Sequence, residues 1–308
     1  MNFSRPITAC IYALAIVPAP FLAARQDTST SMRAQAMTLE KQGQTAEAEQ
    51  IWQNLARADP HDAEALAHLG LFEARQEHYE AAIDYYRRAA ALNPDVPGLP
   101  MNLGLALFKA AQFPDAIRIF SSEIKKHSGD PRLTILLGMS HYGMKDYLVA
   151  NPYLRRATEQ DPQSVPLRLT LAHSCLGSKQ YSCVLEVHKE ILALNAESAE
   201  ADMLAAEARD HLHDSTGAAK QLRAALVIDP RVPNAHFGLG YILWTEGKWP
   251  EAADEFRLEL QNDPKHAVAQ EYLAKSEQEL HRTDSKALPP PKPASLQELI
   301  DAIENPAP

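Results

Sequence analysis

The feature that most restricts what this chain can fold into is a repeat of constant length. The stretch YEAAIDYYRRAAALNP at 79–94 returns as YLVANPYLRRATEQDP at 147–162 and as WPEAADEFRLELQNDP at 249–264. A small residue falls at Gly70, Gly104, Gly138, Ala172, Ala206 and Gly240, in steps of 34. A second small position takes Ala48, Ala82, Ala116, Ala150, Ala218 and Ala252, with Val184 in the gap. A bulky position takes Trp52, Tyr86, Phe120, Leu154, Leu222 and Phe256, with His188 as the exception. Seven units fit without insertion or deletion: 29–62, 63–96, 97–130, 131–164, 165–198, 199–232 and 233–266. Self-similarity at this period belongs to arrays of stacked supersecondary units.

Each unit reads as two helices. In the second unit Leu66, Leu69, Gly70 and Glu73 follow helical spacing, and so do Ala82, Ile83, Tyr86, Ala89 and Ala90. The polar run Arg75-Gln76-Glu77-His78 is the turn between them. An Asp-Pro or Asn-Pro closes most units, because the residue before proline is pushed out of the α region. Neither helix can bury its apolar stripe alone, so the units must stack. Residues 267–283 predict one more helix, with Leu273-Ala274 in register and many charges, suited to cap the array. Units one and six are degenerate: Gln35-Ala36 and Ala205-Ala206 replace the Leu-Gly pair, and Ser215 stands where an aromatic belongs.

These features together resemble the tetratricopeptide-repeat (TPR) family. The resemblance rests on the 34-residue period, the pairs Leu69-Gly70, Leu103-Gly104, Leu137-Gly138 and Leu239-Gly240, and the aromatics Tyr79, Phe113, Tyr147, Tyr181 and Trp249 that open second helices. It covers about five sixths of the chain. It implies an all-α fold, a right-handed superhelical α-solenoid of helix-turn-helix repeats with a C-terminal capping helix.

The resemblance also implies that the first helices line a concave face that binds an extended peptide or a helix. The positions it assigns to that groove include Met101, Leu105 and Phe108 in unit three, Ile135, Met139 and Tyr142 in unit four, and Leu169 and His173 in unit five. Phe237, Tyr241 and Trp244 follow in unit seven, while Glu207 and Asp210 make the far end mixed in character. Two readings compete for these rows. Tight winding would bury them, as with helices that are apolar all round. Exposure would make them an apolar binding groove, with Met101, Met139 and Met203 as adaptable contacts. Of the Lys, Asn and Arg residues by which the family clamps a terminal carboxylate, only Asn102 has a counterpart, so that clamp does not carry over.

The chain offers no catalytic signature. Gly238-Leu239-Gly240 is only G-x-G and supplies packing positions. His211 and His213 face different sides of a helix and make a poor metal pair, while His141 and His188 sit at packing positions as core histidines. No cofactor or metal is expected. A net charge of −10 opposes nucleic acid, whose phosphates draw affinity from Lys and Arg. Cys175 and Cys183 flank one predicted turn, where antiparallel helix ends approach; they form either a disulfide clip or two half-buried thiols.

Arg5 precedes an apolar run from Ile7 to Ala24 that contains no acid and turns polar at Arg25-Gln26-Asp27. That is the layout of a cleavable secretory signal over 1–24, and it implies export to a periplasm or the exterior. Pro18 and Pro20 break the run, so no membrane span is expected in the mature chain. A retained anchor and lipid attachment at Cys10 are the alternatives. Beyond 283, Pro289-Pro290-Pro291 and Pro293 make a stiff linker over 284–294. Ser295 and Glu298 form a capping box for a short helix over 295–308, with Leu296, Leu299, Ile300 and Ile303 on one face. That helix either docks, in the groove or on another protein, or frays. The expected function is a non-catalytic scaffold gripping an apolar or amphipathic peptide. The alternative is a structural part of an envelope or secretion assembly, contacting partners through its outer face and tail.

Overall fold

The structure, a computed structural model, describes residues 19–282; the predicted tail and most of the predicted signal lie outside them. Fifteen α-helices and no strands occur among the described residues. They are α1 (Ala19–Lys41), α2 (Thr45–Ala58), α3 (Ala63–Arg75), α4 (Tyr79–Leu92), α5 (Leu99–Lys109), α6 (Phe113–Lys126), α7 (Pro131–Gly143) and α8 (Tyr147–Gln160). There follow α9 (Val165–Gly177), α10 (Tyr181–Ala193), α11 (Ala199–His211), α12 (Ser215–Ile228), α13 (Ala235–Thr245), α14 (Trp249–Asn262) and α15 (Ala267–Arg282). The architecture is an all-α solenoid of helical hairpins. α1 starts at Ala19, inside the span read as a signal.

The hairpin turns share one device. Gly43, Glu77, Ala111, Lys145, Lys179, His213 and Gly247 all have positive φ, and they recur every 34 residues. The next residue donates its N–H back across the turn: His78 to Glu73, Gln112 to Leu107, Asp146 to His141 and Gln180 to Cys175, all at 2.8–2.9 Å. Such a left-handed residue pairs the orphan carbonyls that end a helix. Only two of the seven positions hold the glycine this conformation favours.

First helices start with a side-chain cap where Asp or Ser is available. Asp62, Asp130, Ser164 and Ser198 each accept a first-turn N–H. Units three and seven instead read Val96-Pro97-Gly98 and Val232-Pro233-Asn234, and α5 and α13 begin two residues late, after a left-handed residue. For α13 the missing cap is supplied from α14. Glu259, 2% exposed, accepts from the backbone N–H of Asn234 (3.2 Å) and Phe237 (3.0 Å). A carboxylate at a helix N-terminus satisfies orphan donors and the helix dipole together.

The chain divides within α6 into two compact units, ending at Ile119 and starting at Phe120. In the first, Trp52, Leu69 and Phe72 form the centre of a core with Ala36, Ala48 and Leu55. The indole N–H of Trp52 donates to Glu40 at 2.6 Å, and its ring stacks on His68 at 4.0 Å. Tyr86, fully buried, packs beside Gly70, and burial pushes its phenol up to about 12. Two clusters lie within the described residues of the second unit, beside other buried residues such as Leu133 and Leu137. One gathers Leu154, Leu171, Val184, Val187, Ile191 and Leu204. The other gathers Leu222, Phe237, Tyr241, Trp244, Phe256 and Tyr272.

His188, the polar exception at a core position, hydrogen-bonds through Nε2 to Asp202 at 2.7 Å, and both side chains are buried. His141 stacks on Tyr153, with Nδ1 3.4 Å from Asp146. His188 is a partnered core residue, as buried polar groups must be; His141 is half-buried, and its Nδ1 makes no hydrogen bond beyond that approach.

Candidate peptide-binding face

In the second unit α9 touches α11 and α13 touches α15, while consecutive second helices have at most marginal contact. The first helices α9 and α11 therefore pack directly on each other, and the side they share is taken as the inner side. Ile135, Met139, Tyr142, Leu169 and Leu176 lie there half-buried, with Met203 following on α11. Met139, Tyr142, Leu169 and Leu176 rest their inner halves on the α8–α11 core. They are neither hidden by winding nor fully open. The three rows of this face contain no Lys or Arg in units four to seven.

A polar cluster interrupts the apolar rows at α11. His173 approaches Glu200 at 2.6 Å. Burial raises the Tyr142 phenol above its usual range, and the neighbouring Tyr147 and Glu200 add to the shift. Beside this cluster is a cleft of about 120 Å³ lined by His173, Glu200, Met203, Glu207, Leu222 and Asn234. Its floor is apolar and its acids come from α11. That arrangement can hold an apolar side chain and offer carboxylates to a cation beside it.

The far end of the row departs from expectation. Phe237, Tyr241 and Trp244 are 0%, 3% and 7% exposed. Tyr272 of α15 packs edge-on against all three rings, at centroid distances of 6.3, 5.3 and 5.1 Å. They are core residues beneath the capping helix, not groove lining. The apolar face of α15 covers them, in the place that the first helix of a further repeat would take.

In the first unit, Met101, Leu105 and Phe108 are half-buried on α5, and Phe108 meets Phe113 edge-on at 5.7 Å. Cys175 and Cys183 are joined as a disulfide across the α9–α10 turn, with Cα atoms 5.9 Å apart. No group of His, Cys, Asp and Glu that could hold a metal is present among the described residues. No described helix is long and apolar enough to cross a membrane.

The Glu259 cap escaped sequence reading, although Val232-Pro233-Asn234 in place of a capping Asp or Ser was a usable signal. The Glu40–Trp52–His68 cluster gave no signal, because its members lie on separate helices at no fixed spacing.

Comparison with known proteins places this geometry in a class of interaction scaffolds. The tetratricopeptide repeat family matches residues 33–97, 101–165 and 203–267, more than half of the chain. The chain belongs to the tetratricopeptide repeat family. It is similar to intraflagellar transport protein 70A of Danio rerio, 26% identical over 49% of this chain and 22% of that protein. It is also similar to BBSome complex member BBS4 of Bos taurus, 22% identical over 70% of this chain and 41% of that one. The chain thus spans about a fifth to two fifths of the length of these relatives. Among solved structures, the C-terminal part of a TPR repeat-containing protein from Cytophaga hutchinsonii superposes with a TM-score of 0.64. That likeness is 14% identical and covers 78% of this chain and 99% of that one. It shows the fold alone. Proteins of this family bind protein partners, and the family and fold are typically non-catalytic.

Proposed function

We propose that the protein is an exported, non-catalytic scaffold that grips an apolar peptide segment on the inner face of its second unit. The observation that carries this reading is the half-buried row Ile135, Met139, Tyr142, Leu169 and Met203, on the first helices α7, α9 and α11, the last two in direct contact. Partly exposed apolar side chains in a row are a contact surface awaiting a partner. Glu200, Glu207 and the absence of Lys and Arg from the three rows in units four to seven favour a ligand with a cationic end beside its apolar anchors. The apolar run before Arg25 supports export, and a disulfide suits the oxidising compartments that export leads to.

The test uses the full chain and a fluorescent amphipathic model peptide of leucine and lysine, followed by anisotropy. Leu169→Asp and Met203→Asp should each weaken binding at least tenfold while circular dichroism stays helical, because a buried unpaired carboxylate costs more than about 1.4 kcal/mol. Absence of saturable binding, or indifference to both substitutions, would defeat the proposal.

A second reading, assembly through the outer face, draws on exposed Leu192, Val227 and Leu258 of the second helices. Val227→Lys would break such an assembly and leave peptide binding intact.

A further inference from the structure

Along the edge where first helices turn into second ones, unit four differs from its neighbours. Met144, Leu148 and Val149 are 45%, 65% and 40% exposed. The same register holds Ser178, Ser182 and Cys183 in unit five, and Glu246, Pro250 and Glu251 in unit seven. Leu148, but neither Met144 nor Val149, also lines a hollow of about 290 Å³, together with Lys145, Asp146, Tyr147, Ser178 and Lys179. Its shape is built in: Gly177 lacks the Cβ that would strike the Tyr147 ring, so the ring lies flush against the next turn. Neither Lys145 nor Lys179 has an acidic partner within ion-pair distance among the described residues. On the same edge Lys248 pairs with Glu246 at 2.7 Å. The one acid lining the hollow, Asp146, lies 3.4 Å from His141.

We propose that this edge is the docking site of residues 295–304 of the same chain. Those residues read SLQELIDAIE: Leu296, Leu299, Ile300 and Ile303 at helical spacing, with Glu298, Asp301 and Glu304 and no base. An acidic segment with one apolar face matches an apolar ledge flanked by two lysines. The inner face is a poor host for it, because Glu200, Glu207 and Asp210 would repel its acids. The chain also leaves from the right side. α15 lies in the register of a first helix, so its end at Arg282 emerges on the edge that carries the turns. α15 is three first-helix steps beyond α9 and four beyond α7, whose turn carries the ledge: about 24–30 Å and about 32–40 Å at helix spacings of 8–10 Å. Residues 283–294, rich in proline, span about 37 Å when extended at 3.1 Å per residue. The linker reaches the side of the hollow formed by Ser178 and Lys179, and the ten docking residues, about 15 Å long at the helical rise of 1.5 Å per residue, cover the last step to the ledge.

Hydrogen exchange on the full chain tests this. In the natural sequence the amides of 296–303 and of 144–149 should be protected, equally at low and high protein concentration. Lys145→Glu with Lys179→Glu should speed exchange in 296–303 about tenfold, the worth of two exposed ion pairs at up to about 1 kcal/mol each. Both side chains are exposed and unpaired, so the array should stay folded by circular dichroism. Adding Glu298→Lys, Asp301→Lys and Glu304→Lys to that pair should restore protection, a rescue that unfolding could not give. Three results would each overturn the proposal: unprotected amides in the natural chain, protection indifferent to the lysine reversals, or protection that rises with concentration, which would assign the site to a second copy.

Discussion

Ala111 carries a backbone conformation that its side chain resists. Its φ is +57°, at a turn position where units one and seven hold glycine. A Cβ in the left-handed region costs roughly 1–2 kcal/mol, whereas glycine loses about 0.5–1 kcal/mol through the freedom it gives the unfolded chain. The first effect is the larger. Ala111→Gly should therefore stabilise the protein by about 0.5–1 kcal/mol, seen as a higher denaturant midpoint at unchanged slope. A lower midpoint would mean that the turn relaxes its strain by other means. The sequence exposes this position only faintly, because glutamate, lysine and histidine occupy it in four other units, and the glycines of units one and seven are its one hint of a positive φ. The periodic turn contacts fix the conformation, and the residue endures it.

At the scale of a helix pair, the small residue of each first helix sets how closely its second helix approaches. A Cβ built on Gly70 would lie 2.7 Å from the ring of Tyr86, itself 1% exposed. The ring is enclosed in the core, and overpacking of this kind costs about 1–3 kcal/mol, against about 1 kcal/mol that alanine gains over glycine inside a helix. Gly70→Ala should lower the denaturant midpoint accordingly, and Gly70→Ala with Tyr86→Leu should recover part of the loss. Equal losses in the single and double variants would show that a remote shift, rather than this contact, is responsible. Helix pairing of this kind was legible in the sequence, because one small and one bulky position recur at a fixed interval. The late starts of α5 and α13 were less so, since Val-Pro-Gly and Val-Pro-Asn remove two helical residues without altering the period. Exposure of the inner row was not legible at all: the same register position is half-buried at Leu169 and fully buried at Phe237. What separates them is the next helix along, and no residue within the unit records it.

Across the second unit, that dependence on neighbours decides where stability resides. An array of hairpins gains stability from each repeat and from each nearest-neighbour interface. The last interface is made by α15, whose Tyr272 is 7% exposed and packs against Phe237, Tyr241, Trp244 and Phe256. Truncating a large buried aromatic to alanine costs about 3–5 kcal/mol. Tyr272→Ala should deliver that loss unevenly, because the contact is local and each hairpin answers mainly to the one beside it. Hydrogen exchange should quicken most in α13, α14 and α15, less in α11 and α12, and least in α7 and α8. The rings of Tyr241 and Trp244 would then lose their cover and join the apolar inner face, so binding of an apolar dye should rise in the same variant. Equal acceleration from α7 to α15 would instead make the unit a single cooperative block, and the capping helix would then hold the whole inner face in shape rather than only its last three rings.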